Sequence, residues 1–181
     1  MYHLMLSRMG RLDAVVLRLT NVYGPRMALD VPCQGFLSAF LRKALTGQTL
    51  EIFGDGRQLR DPLYVDDAVD AMLIAAAADS PPSRSYNIGG PEALPLAEIA
   101  AITSRLAGTP APRWKEFPED RRAIDIGSYH TDSQLISNEL GWRASTRFPE
   151  GMERTLSYYR ERLERYLDPG DPNPPCKLKH A

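Results

Sequence analysis

Apolar positions recur with two different periods along this chain, and each change of period marks an element. Ala14 to Leu19 is apolar on both faces and rich in β-branched residues, the pattern of a buried, parallel strand. From Thr20 to Pro32 that pattern breaks at Asn21, Gly24, Pro25 and Pro32, which predicts a loop. Phe36, Leu37, Phe40, Leu41, Ala44 and Leu45 then share one helical stripe between Gly35 and Leu45, stopped by Gly47. Leu50 to Phe53 alternates as a half-buried strand and ends at Gly54-Asp55-Gly56. Leu59 to Val65 reads as extended. Asp66-Asp67 suit the cap and first turn of a helix from Ala68 to Ala77.

The remaining elements follow the same logic. Tyr2 to Met9 looks like the last turns of a helix with no capping residue before it. Ser85 to Ile88 is a strand closed by Gly89-Gly90, and Leu96 to Leu106 is a helix closed by Gly108 and Pro110. Glu116 to Ser128 is polar and irregular. Asp132 caps a helix to Leu140, ended by Gly141, and Pro149 to Tyr166 forms the last helix. The Pro-rich segment 168–181 is expected to be an unfolded tail. Strands alternate with helices, so the body, residues 1–167, falls in the α/β class with a mixed sheet.

Composition narrows the function. The 181 residues are 43% apolar and 25% charged, enough to bury a core, and this excludes wholesale disorder. A formal charge of −1 argues against a nucleic-acid binder, which would carry a basic excess. No run of 18 apolar residues and no secretory leader are legible, so neither a membrane partner nor secretion is expected; the predicted location is cytoplasmic. Cys33 and Cys176 lie far apart, and His3, His130 and His180 stand isolated, so no metal site is expected. Arginine supplies 18 of the 22 basic residues, and its fork suits phosphate.

Two residues invite a chemical reading. Arg60 follows the Gly54-Asp55-Gly56 turn and precedes a helix, where a guanidinium can clamp a diphosphate with parallel hydrogen bonds; equally, it can be a solvated charge paired with Asp61, Glu119 or Asp120. Asn21 stands just beyond the end of a buried strand, where ligands lie in open α/β sheets; equally, it can form an Asx-turn. Arg121 and Arg122 are adjacent in the irregular stretch and need anions or carboxylates beside them.

The order of short motifs adds a third line of argument. Arg18-Leu19-Thr20-Asn21-Val22-Tyr23-Gly24-Pro25-Arg26 is followed by Leu50 to Gly56, by Gln58-Leu59-Arg60-Asp61-Pro62-Leu63-Tyr64-Val65-Asp66-Asp67, by Tyr86 to Gly90 and by Leu140-Gly141-Trp142. In this order and spacing they resemble the NAD-dependent nucleotide-sugar epimerases and dehydratases, the extended short-chain dehydrogenase/reductase family, over roughly Tyr2 to Leu167. The resemblance implies the C-terminal part of a Rossmann-type fold with a small substrate-binding α/β subdomain. It implies that Asn21, Phe53, Arg60 and Arg122 contact a nucleotide-diphosphate sugar, with Arg121 as a rival to Arg122 and a plain core role as the alternative for Phe53. It places Thr20 beside the nicotinamide of NAD, and Arg26 with the Pro32 to Phe36 stretch around the sugar.

The departures from the family pattern are as informative. Its redox chemistry uses a G-x-x-G-x-x-G loop for the dinucleotide pyrophosphate and a Tyr four residues before a Lys as the proton acceptor. Neither pattern occurs in these 181 residues. No catalytic residue is therefore assigned. The resemblance sets the missing pair just before Met1, so the chain alone is expected neither to bind NAD nor to turn over, and to need an N-terminal half or a homo-oligomeric partner. The contrasting expectation is a degenerate fragment or non-catalytic binding or regulatory module.

Overall fold

The computed structural model describes residues 2–29, 35–117 and 126–167. Among them the strands pair as four two-stranded ladders rather than as one continuous sheet. β1 (Val16–Leu19) runs parallel to β6 (Ser85–Ile88), β2 (Val22–Tyr23) to β5 (Leu63–Tyr64), and β3 (Glu51–Phe53) to β8 (Arg113–Lys115). β4 (Leu59–Arg60) is antiparallel to β7 (Leu94–Pro95). Helices α1 (Tyr2–Arg8), α2 (Phe36–Leu45), α3 (Val65–Ala77), α4 (Leu96–Ala107), α5 (Gln134–Leu140) and α6 (Phe148–Arg160) lie between and after them. The mixed α/β character expected from the alternation is present, with parallel and antiparallel pairings side by side.

Two apolar clusters hold these elements. In the larger, the predicted stripe of α2 buries Leu37, Phe40, Leu41 and Ala44 against Ile99 and Ala100 of α4. Phe148, Met152, Leu156 and Tyr159 of α6 join them, along with Leu50 and Ile52. Each large side chain fully buried in this way stabilises by about 1.5–3 kcal/mol. Gly108, at φ 75°, adopts the left-handed conformation that closes α4. The smaller cluster packs Ala68 and Ala71 of α3 and Ile136 of α5 against Tyr86 and Ile88 of β6, with Trp142 beside them.

Several expectations need correction. β1 is half exposed, not buried: Arg18 and Leu19 face solvent, because β6 is its only strand partner among the described residues. The α3 helix begins at Val65, three residues early, and Tyr64 holds the capping position without a side-chain bond. Asp67 is not a cap. Its buried carboxylate accepts the Ser145 N–H and hydroxyl and the Thr146 N–H, and so ties α3 to the segment before α6. Ser133, not Asp132, holds the capping position of α5; Asp132 accepts the Gln134 N–H at 2.8 Å from one residue before it. The last helix stops at Arg160, and a short 3-10 turn at Leu163–Arg165 follows. The strands β2, β7 and β8 were not expected; two or three residues are too few to show a period.

Candidate functional site

The chain leaves β1 at Thr20 and immediately meets the link between β4 and β5. The Thr20 hydroxyl donates to Asp61 Oδ1 at 2.7 Å, and the Leu63 N–H donates to the Asn21 carbonyl at 3.0 Å. These bonds bring Thr20-Asn21 beside Arg60-Asp61, forty residues away in sequence. The exit from β6 arrives at the same place, where the Gly90 N–H donates to the Asp61 carbonyl at 3.3 Å. A Cβ at position 90 would lie 2.1 Å from the Pro62 carbonyl oxygen, so the paired glycines are required by close backbone approach.

A fourth segment closes the junction. The Tyr129 N–H donates to the Leu59 carbonyl at 3.1 Å and the Leu59 N–H donates to Ser128 Oγ at 3.2 Å. The Thr131 N–H donates to Asp61 Oδ2 at 2.9 Å. Arg60 joins this strap directly: its Nη1 donates to the carbonyls of Gly127 at 2.6 Å and of Leu59 at 2.7 Å. The guanidinium is thus oriented by backbone acceptors.

Each candidate can now be placed. The segments that carry Arg60 and Asn21 meet at the junction, through Thr20 on Asp61 and through the Leu63 N–H on the Asn21 carbonyl. The Asn21 carboxamide is half-buried and forms no hydrogen bond among the described residues, so the turn is held by its backbone and not by an Asx bond. Thr20 is at the junction too, but its hydroxyl serves Asp61. Phe53 is half-buried at the end of β3 and packs on Phe117, ring centroids 6.1 Å apart. Arg121 and Arg122 lie outside the described residues, as does most of the Pro32 to Phe36 stretch. The described residues flanking those arginines touch the candidates, Phe117 against Phe53 and Gly127 against Arg60. Sequence reasoning missed Asp61, Ser128 and Thr131, since their roles exist only once the segments meet.

Arg26 lies against Tyr158 of α6. With Tyr166 and Arg162 it holds the Tyr158 phenol below its ordinary range, the hydrogen bond with Tyr166 being the largest cause. An open hollow of about 520 Å³ runs along that helix face. Its charges pair within it, Arg154 with Glu150 at 2.6 Å and Arg162 with Glu161 at 2.7 Å, as on an ordinary solvated surface. Among the described residues no cluster of His, Cys, Asp and Glu could hold a metal, and no helix is long and apolar enough to cross a membrane.

Comparison with known proteins supplies the context. Residues 2–89 match the sequence model of the NAD dependent epimerase/dehydratase family. A dTDP-glucose 4,6-dehydratase of Actinoplanes sp. is 33% identical over 149 residues, 82% of this chain and 44% of that protein. A UDP-glucose 4-epimerase of Mycolicibacterium smegmatis is 29% identical over 84% and 47% of the two. Among solved structures, the UDP-glucose 4-epimerase of Thermotoga maritima with UDP-glucose superposes with a TM-score of 0.78 at 29% identity, covering 90% of this chain and 50% of that one. A dTDP-glucose 4,6-dehydratase of Streptomyces venezuelae with NAD bound gives a TM-score of 0.73 at 26% identity, over 90% and 48%. The chain therefore spans about half the length of the relatives it matches.

Proposed function

The chain belongs to the NAD-dependent epimerase/dehydratase family, and on that premise we propose that it is the nucleotide-sugar-binding half of such an enzyme, with Arg60 as its diphosphate clamp. The observation that carries this reading is the Arg60 guanidinium, held by two backbone carbonyls at a junction of four chain segments, one of which carries the half-buried Asn21. A guanidinium fixed in this way recognises a diphosphate with its planar fork, and the carboxamide can donate or accept to the phosphate or the sugar. Phe53, whose ring packs on Phe117, and Arg122 complete the proposed contacts. Relatives solved with UDP-glucose support the ligand class.

The residues present do not fit the pyrophosphate of NAD. None of the glycines has the spacing of a dinucleotide loop, and the Thr20 hydroxyl is engaged by Asp61. No hydride transfer is derived from these residues, and chain 1–181 alone is expected to bind nucleotide sugar without turning it over. A partner carrying the dinucleotide loop has an evident seat. Helix α1 buries no residue, and α3 turns Val69, Met72 and Leu73 outward. The β1 edge, which has only β6 as a strand partner among the described residues, is a further place where the remaining part of the fold could pack.

The test is calorimetry of purified 1–181 with UDP and dTDP. Binding that falls about tenfold or more in Arg60→Ala, the loss expected for a charge-assisted hydrogen bond, supports the clamp. No binding at millimolar nucleotide, or steady turnover of a nucleotide sugar by 1–181 alone, overturns the reading. The first of those outcomes would favour a degenerate or regulatory module.

A further inference from the structure

Asp61 stands one residue from Arg60 in sequence and one hydrogen bond from the neighbour of Asn21, and the residue is 2% exposed. Its two carboxylate oxygens divide their work: Oδ1 accepts the Thr20 hydroxyl at 2.7 Å and Oδ2 accepts the Thr131 N–H at 2.9 Å. The space around it is closed on the β6 side as well, since a Cβ on Gly89 would sit 2.4 Å from Oδ2 and 2.6 Å from Thr131 Cβ. A carboxylate so enclosed cannot reach a ligand. It can only set the distances between the segments that do.

We propose that Asp61 is the positioning residue of the diphosphate site, a buried tether that fixes Asn21 on one side and the Arg60–Gly127 contact on the other. The inference rests on the reading of Arg60 as the clamp. Its physical content is simple. The strap from Gly127 to Thr131 lies against β4 through the Leu59 backbone bonds and through Asp61; the Gly127 carbonyl, anchored by that strap, orients the guanidinium. Without the carboxylate, the Thr131 N–H and the Thr20 hydroxyl lose their acceptor, and both ends of the site relax together.

The test is a calorimetric double-mutant cycle with UDP as the probe, using full-length 1–181 as wild type, Arg60→Ala, Asp61→Ala and the double variant. Asp61→Ala is expected to weaken UDP about tenfold, the cost of misplacing a charge-assisted hydrogen bond, and to add nothing once Arg60 is gone. Asp61→Asn is the rescue. Its carboxamide oxygen accepts from Thr131 and its NH2 donates to the Thr20 hydroxyl, so affinity should return to within about threefold of wild type. Thr20→Val removes one end of the tether without vacating its space, and should weaken UDP only where Arg60 is present. Loss of affinity in Arg60→Ala with none in Asp61→Ala or Thr20→Val overturns the positioning role and leaves the clamp standing, as do additive losses. An Arg60→Ala variant that binds UDP like wild type overturns the clamp, and this inference with it.

Discussion

Gly151 of α6 lies directly against the hydroxyl of Tyr23: a Cβ added there would be 2.2 Å from the Tyr23 oxygen and 2.8 Å from Tyr64 Cδ2. The same hydroxyl donates to the Phe148 carbonyl one turn earlier, at 3.3 Å. A glycine inside a helix is normally a liability of about 1 kcal/mol relative to alanine. Here it lets α6 pack onto β2 and β5.

Gly151→Ala should therefore destabilise the protein although it favours the isolated helix. Overpacking of this kind costs about 1–3 kcal/mol, more than the propensity gained. Urea unfolding should show a lower midpoint with an unchanged slope. In a Tyr23→Phe background the penalty should shrink, because the nearest atom has gone.

Asp67→Ala should cost about 2–4 kcal/mol, because the Ser145 and Thr146 N–H groups and the Ser145 hydroxyl lose a common buried acceptor. Trp142, whose indole N–H donates to the Asp67 main-chain carbonyl at 3.1 Å, reports any loosening of that helix start, so tryptophan emission should shift to the red before global unfolding. An unchanged emission and midpoint would contradict the tether.

Glu51 makes the acid limb of stability predictable. It hydrogen-bonds to Lys115 of β8 and to Lys43 of α2, and those bonds, Lys115 first, hold its pKa below the ordinary 4.5. A lowered carboxyl pKa adds stability that is present above the unfolded value and is lost as pH falls through the folded one. Glu51→Gln should cost about 0.5–1 kcal/mol at pH 7 and progressively less as the pH falls through the folded pKa, read by urea unfolding across an acid series.

Leu73 is 62% exposed on α3, so Leu73→Glu should change stability by no more than about 0.5 kcal/mol. It should nonetheless reduce self-association of the wild-type chain in sedimentation velocity. A wild-type chain that is monomeric at high concentration would count against α3 as a docking face.

How much of this could be read without coordinates depends on range. The stripes of α2 and α4 and the strand β6 were legible because their signals repeat within a few residues, and burial then confirms them. Arg60 and Asn21 were legible as residue types at strand ends, and the family through the order of its motifs. The role of Asp67 was not legible: two acidic residues at a helix start read as a cap, and only the arrival of Ser145 and Thr146 makes one of them a buried anchor.

The sequence by itself thus determined the class of fold, the main helices and the family. Tertiary structure decided that Thr20, Asp61 and Thr131 converge, that the Gly127 carbonyl orients Arg60, and that β1 and α3 keep an apolar surface uncovered. The reason is physical. Periodicity and capping are local and are written in neighbouring residues, whereas a hydrogen bond across forty or seventy residues depends on how whole segments pack before the two groups can meet.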